Sequence, residues 1–323
     1  MRTFGGSIPD ELKTGTISIA EAQAVGVSRD LLRGPAWRRV GWGRYRWAAQ
    51  EMNEDVALAV LLTSLPEGAA LAGATAARRW GLDVPRPAKP DVVVPPGAGV
   101  SGRVEGRVRR VNLEPGDVLI REGLPVTSPL RTCFDLACRL SLVEAVVVVD
   151  QALYGGLISL ESLAGYIDQH HRIPGLVQAR RVLELAEPKA ESPMESRLRM
   201  LLVREGLPRP EAQVSIYGPA GTFLGRLDLF YPDAKVGIEY DGENHGDRLT
   251  ADNRRQNRLL EAGTHLLRYS APDLTRPELI VSEVRAALHR HRGSHNSLIA
   301  GTRPLDGARQ GPTAGIRGLG GTR

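Results

Sequence analysis

Residues Thr222 to Asp241 constrain the chain more than any other stretch. Two runs of strand-forming residues, Thr222 to Phe230 and Lys235 to Asp241, flank the turn sequence Tyr231-Pro232-Asp233-Ala234. Centring that turn between Asp233 and Ala234 sets Asp228 opposite Glu239 in an antiparallel pair. Strand side chains alternate faces, so Asp228, Glu239 and Asp241 share one side, while Leu227, Leu229, Val236, Ile238 and Tyr240 point to the other. Like charges at cross-strand distance repel, and a purely structural sheet avoids three of them on one face.

A divalent cation resolves that repulsion. Mg2+ (or Mn2+) takes oxygen ligands, typically one or two carboxylates with waters and a substrate phosphate, and lowers the pKa of a bound water. Asp228 and Glu239 are the expected metal ligands, with Asp241 assisting. Past Gly242, His245 either returns to the acidic face as a general base or is an ordinary surface histidine. Upstream, Ser192-Pro193-Met194-Glu195 opens a helix, and Glu195 either caps it or reaches the acidic site. Downstream, Asp252, Arg254, Arg255 and Arg258 lie on an expected helix, where Arg255 and Arg258 either steady a phosphate or form a solvated face. Gln213 to Tyr217 and Thr264 to Tyr269 supply two more strands. Residues 191–292 thus form an α/β unit around a small mixed sheet.

At the other end, Ser18-Ile19-Ala20-Glu21 is a capping box for a short helix, Ser28 caps a second over Arg29 to Arg33, and Gly34-Pro35 ends it. Trp37 to Trp47 then reads as two short strands about a Gly turn. Helix, tight turn, helix and basic hairpin is the order of a winged helix-turn-helix, which assigns residues 1–53 to DNA binding through Arg29, Arg33, Arg38, Arg39, Arg44 and Arg46. The alternative is a helix-hairpin module that packs on its neighbour and merely exposes arginine. The net charge of +5 suits a polyanionic partner, although the basic residues are almost all Arg, with Lys only at 13, 89, 189 and 235.

Between these ends, residues 54–190 mix helices (Val56 to Leu65, Ala72 to Trp80, Pro129 to Leu140, Leu142 to Ala152) with strands (Asp91 to Pro95, Arg107 to Asn112). No acid, His or Cys cluster marks chemistry there, so a scaffolding or interaction role is expected. His170 and His171 read as surface side chains. Cys133 and Cys138 stand apart from zinc-finger spacing and read as buried thiols in a reducing compartment. The longest apolar run, Ala145 to Val149, is far short of a membrane span, and Asp10, Glu11 and Lys13 occupy the place of a signal peptide's apolar core. A soluble, cytoplasmic protein with no membrane partner is expected. Residues 293–323 are Gly-rich and lack apolar periodicity, the composition of a disordered tail.

Two resemblances follow. The set Glu195, Asp228, Val236-Gly237-Ile238-Glu239-Tyr240-Asp241-Gly242, His245, Asp252 and Arg255 ahead of Leu267-Arg268 resembles the PD-(D/E)XK nucleases, in the branch related to very-short-patch-repair endonucleases. The resemblance implies a restriction-endonuclease-like fold and metal-dependent cleavage of DNA. That pattern has Lys two residues after its Glu, where this chain has Asp241; related repair endonucleases also lack the Lys and use His. The first 190 residues resemble the AbiEi antitoxin family, through a winged helix followed by Thr127-Ser128-Pro129-Leu130-Arg131-Thr132 and Asp135-Leu136-Ala137. This likeness implies a repressor of its own promoter in a type IV toxin-antitoxin system, with a cognate toxin and an inert nuclease-like domain as the alternative to an enzyme.

Overall fold

The computed structural model describes residues 15–41, 43–49, 53–100, 104–218, 221–241, 257–261 and 263–299. Among the described residues the chain is mixed α/β, with three sheets. In the head, β1 (Ile17–Ser18), α1 (Ile19–Ala24), α2 (Arg29–Leu32), β2 (Trp37–Gly41) and β3 (Arg44–Trp47) follow in order, and the antiparallel sheet runs β1-β3-β2. Both expected caps form. The Ser18 hydroxyl accepts from the Glu21 N–H while the Glu21 carboxylate accepts from the Ser18 N–H, and Ser28 accepts from the Leu31 N–H. Ile17, Ala22, Val27, Leu32 and Trp37 make a small core of their own, with Trp47 meeting Trp37 edge-on at 5.5 Å.

The middle begins with α3 (Glu54–Thr63), β4 (Ala70–Leu71), α4 (Gly73–Arg79), β5 (Asp91–Val94), β6 (Arg107–Arg110), β7 (Val118–Arg121) and β8 (Leu124–Thr127). The five strands form a mixed sheet ordered β6-β5-β4-β8-β7. Helices α5 (Pro129–Ala137), α6 (Leu142–Tyr154), α7 (Leu160–Gln169) and α8 (Leu176–Leu185) follow and share one apolar core. At the start of α8, Gly175 has φ +87°, and a Cβ there would overlap the carbonyl of Cys138, so only glycine permits that approach. His170 is not a free surface side chain: its ring lies against Tyr166 and Phe134 at 4.4 and 4.8 Å, with Nδ1 2.7 Å from the Tyr166 carbonyl. An aromatic shelf beside the helix end holds it, and that could not be read from its loop context. His171 is exposed.

The last unit contains α9 (Pro193–Arg204), β9 (Glu211–Tyr217), β10 (Phe223–Tyr231), β11 (Val236–Tyr240), a helical turn at 257–261, β12 (His265–Tyr269) and α10 (Pro277–Ile299). Its sheet is ordered β12-β11-β10-β9, with β12 parallel to β11 and the other pairs antiparallel. The observed pairs Leu229–Ile238 and Tyr231–Val236 are the register expected from the turn. Lys235 belongs to the turn and not to the strand, because its φ of +49° breaks extended geometry after the 3-10 turn Pro232–Ala234. Gly237 has a packing reason: a Cβ would fall 2.6 Å from Leu227 Cδ1 on the neighbouring strand. Helix α10 runs through Ile299, past residue 293 where the disordered tail is expected to begin. A single Gly293 costs a helix only about 1 kcal/mol relative to Ala, and no proline intervenes before Pro304. Residues 300–323 lie outside the described ones.

Helix α9 ties two cores together. Leu198 and Leu202 enter the core of the last sheet, whereas Met200 enters the helical core of the middle region. On the α6 side, Asp150 is fully buried and accepts from Arg199 Nη2 at 2.7 Å, Ser196 Oγ at 2.6 Å and the Glu187 N–H at 2.7 Å. Burial pushes the Asp150 carboxyl above its ordinary pKa despite those donors. One turn and a half earlier on α6, Glu144 receives both Nε and Nη2 of Arg197, at 2.9 and 2.8 Å. The boundary expected at 190 therefore precedes a helix whose side chains serve both neighbours.

Candidate functional site

The hairpin of β10 and β11 delivers the expected carboxylates to one place. Asp228, Glu239 and Asp241 line a cleft of about 560 Å³, together with Arg226, Tyr240 and Arg258. Alternation along the strands accounts for this, because Leu227, Leu229, Val236 and Ile238 fill the opposite, buried side. Glu195 stands behind the cleft. Ser192 caps α9 by accepting from the Glu195 N–H at 3.2 Å, and the Glu195 carboxylate accepts from the Glu191 N–H at 3.1 Å and from Gln213 Nε2 at 2.7 Å. Cap and site are thus joined in one residue: the same Gln213 amide lies 3.4 Å from Asp228 Oδ1. The structure gives Gln213 a φ of +54°, an uncommon conformation for a strand residue other than glycine. Neither Gln213 nor its bridging role is apparent from the sequence; a polar residue inside a strand opposite Asp228 is the one available sign.

The charges are met by protein groups. Asp228 Oδ2 accepts from the Tyr240 N–H at 2.8 Å, and Arg268 Nε lies 3.1 Å from Glu239 Oε2, with Nη1 4.0 Å from Asp241. Arg268 reaches them because β12 runs parallel to β11 and sets residue 268 beside Glu239. Among the described residues, no group of three or more His, Cys, Asp or Glu side chains is placed to hold a metal ion. Both Asp228 oxygens thus have protein donors nearby, and Glu239 has a guanidinium beside it. His245, Asp252 and Arg255 lie outside the described residues.

In the head, Arg29, Arg33, Arg38 and Arg39 are exposed. Arg33 lies 3.7 Å from Asp30. Arg44 is partly engaged, with Nη1 3.4 Å from Glu21 and 3.5 Å from Thr16 Oγ1, and Arg46 donates to the Trp47 carbonyl at 3.0 Å. Arg38 faces Arg46 across the strand pair, a like-charge placement that an anionic partner would relieve.

The Thr127–Thr132 segment is structural. Ser128 accepts from the Arg131 N–H to cap α5, Pro129 takes the first helical position, and the Thr127 and Thr132 hydroxyls lie 2.7 Å apart. Arg131 is buried against Asp117 and Asp135, at 2.7 and 3.2 Å, and Arg109 also reaches Asp135. Tyr166 completes the network by donating to Asp117 at 2.6 Å; burial and that carboxylate hold the phenol well above its ordinary pKa. Cys133 is buried and its thiol is pushed up to about 12, while half-buried Cys138 is pushed up to about 11, in both cases chiefly by desolvation.

Against known proteins, residues 68–185 match the family model of the AbiEi antitoxin C-terminal domain. Two Mycobacterium tuberculosis proteins, the uncharacterized MT2308 of strain CDC 1551 / Oshkosh and the uncharacterized Rv2248 of strain H37Rv, are 29% identical to the chain over 265 residues. Each alignment spans 79% of this chain and 93% of the relative. The crystal structure of the RV2827C protein from the same organism superposes with a TM-score of 0.40 at 16% identity, covering 64% of this chain and 84% of that one. The family match falls within the stretch expected to be AbiEi-like. No helix among the described residues is long and apolar enough to cross a membrane.

Proposed function

We propose that this protein is a DNA-binding antitoxin or transcriptional regulator of the AbiEi kind, whose C-terminal endonuclease-like unit is a catalytically inert platform. The match of residues 68–185 to the AbiEi antitoxin C-terminal domain carries the reading. In it, the head binds DNA as a winged helix through Arg38 and Arg39, with Arg29 and Arg33 on the second helix, and the DNA is the protein's own promoter. A cognate toxin is the implied partner in the same system, and the place of action is the cytoplasm. The ion pair of Arg268 with Glu239 supports the inert platform, because a side-chain cation neutralises the acidic face without a metal. A promoter-reporter fusion tests this: the intact chain represses the DNA upstream of its own reading frame, and Arg38→Ala with Arg39→Ala relieves repression. Equal repression by that variant overturns the DNA-binding role of the head.

A second reading rests on a separate observation, that Asp228, Glu239 and Asp241 line one cleft. In that reading the last unit is a Mg2+- or Mn2+-dependent endonuclease of the PD-(D/E)XK kind. Plasmid nicking that requires added Mg2+ and is lost in both Asp228→Ala and Glu239→Ala would establish it and remove the inert platform.

A further inference from the structure

A cavity of about 730 Å³ opens in the middle region, away from both the acidic cleft and the arginine hairpin. Its size is that of a site for a small organic ligand. The floor is apolar: Val84 from the loop after α4, Leu136 of α5 and Val148 of α6 are buried side chains, and Ala74 and Leu140 continue the wall. The polar groups at its mouth are Arg86, Lys89, Arg107 and Glu144.

Two of these four already have close partners. Arg107 Nε donates to buried Asp91, which holds the guanidinium above its ordinary pKa, and Glu144 is engaged by two nitrogens of Arg197. Arg86 lies 3.4 Å from Glu54, both exposed, a pair that solvent screens and an incoming anion can displace. Lys89 is exposed at the same mouth. The three ion pairs Arg107–Asp91, Arg86–Glu54 and Arg197–Glu144 are each neutral, so the excess charge at the mouth of the apolar chamber is that of exposed Lys89, with Arg86 held only by a solvent-screened pair. An apolar body would replace water on the floor, and a single negative head would sit between Lys89 and Arg86.

We infer that this cavity is a binding site for a small amphipathic anion, an apolar tail carrying one carboxylate or similar head. The observations that carry it are the buried apolar floor and, at the mouth, exposed Lys89 beside the weakly paired Arg86. It is independent of DNA binding by the head and of any chemistry in the cleft.

Isothermal titration of the full chain with decanoate tests the proposal, with decanol and acetate as the other arms. The expected result is saturable binding of one decanoate per chain and a raised thermal midpoint. Decanol should bind more weakly, and acetate should not bind measurably. Arg86→Met combined with Lys89→Met changes only exposed side chains and should weaken decanoate binding about five- to tenfold. Ala74→Phe, which fills the chamber, should abolish binding while the far-ultraviolet circular dichroism stays that of the parent. Absence of saturable binding to the parent overturns the site. Decanol binding as tightly as decanoate, or decanoate affinity unchanged in the double methionine variant, overturns its preference for an anion. Unchanged binding to folded Ala74→Phe places the ligand elsewhere.

Discussion

Replacing Asp150 by alanine should be among the most damaging single changes in the chain. Its carboxylate is the acceptor for Arg199 Nη2, Ser196 Oγ and the Glu187 N–H, all within 2.7 Å. Arg199 is 0% exposed, so in Asp150→Ala its guanidinium keeps only the Leu185 carbonyl, at 2.7 Å, and stays buried without a counter-charge. Breaking a buried pair in this way costs about 3–5 kcal/mol. Orphaned neutral donors cost roughly 1–3 kcal/mol each when nothing replaces the acceptor, but water entering the vacated space recovers most of that. The expected loss is therefore about 4 kcal/mol. The assay is urea denaturation followed by two probes. Tryptophan fluorescence reports residues 37–80, where all four tryptophans lie, and circular dichroism reports the helices throughout. Since α9 belongs to both adjoining cores, the two probes should move together. Arg199→Met added to Asp150→Ala should recover about 2 kcal/mol or more, because an apolar pair of similar volume tolerates burial. A single variant within about 1 kcal/mol of the parent, or a double variant that loses the sum of two large single effects, would refute the claim that this buried pair fastens α6 to α9.

Further outcomes follow from the same contacts. Glu144 is held below its ordinary pKa first by its hydrogen bond from Arg197, so its contribution is present above about pH 4.5 and is lost as pH falls through the lower folded value. Urea midpoints measured between pH 6 and pH 3 should fall less steeply for Glu144→Gln than for the parent; parallel profiles would contradict this. Gly175→Ala should destabilise by more than about 1 kcal/mol, since it combines a left-handed backbone with overlap of the Cys138 carbonyl, and an unchanged melting temperature would contradict it. The buried thiol of Cys133, pushed up to about 12, should react with a thiol-specific disulfide reagent at pH 8 only as fast as the protein unfolds, whereas half-buried Cys138, pushed up to about 11, should react slowly in the folded state. Rapid labelling of Cys133 in native buffer would show an open structure around α5.

The sequence states local geometry well and long-range partnership poorly. Serines 18, 28 and 192 announce helix starts because a cap is a contact three residues long, and all three form. The register of β10 on β11 follows from one short turn, which is why Asp228, Glu239 and Asp241 could be expected in one cleft. The neutralising Arg268 comes from a parallel strand that begins after a long crossover, and nothing in the hairpin foretells it. Gln213 looks like an ordinary strand residue until the fold lays it between Glu195 and Asp228. Strand β4, two residues long, is too short to show a period of two, and α9 reads as the start of a new unit although half its buried face belongs to the preceding one. The segment with His245 and Arg255 lies outside the described residues, so the part of the nuclease resemblance that depends on it adds nothing to the geometry.

The most direct measurement of the proposed regulator is the affinity of the full chain for duplex DNA from immediately upstream of its own reading frame, by fluorescence anisotropy, across a range of salt. If exposed Arg38 and Arg39 each neutralise a phosphate, their two contacts alone should cost about tenfold in affinity between roughly 50 and 200 mM salt. Arg38→Ala with Arg39→Ala should weaken binding and flatten the salt dependence, while an unrelated duplex should bind less tightly than the upstream DNA throughout. Equal affinity for both duplexes, or a double variant that matches the parent in affinity and salt slope, would contradict regulation through this head.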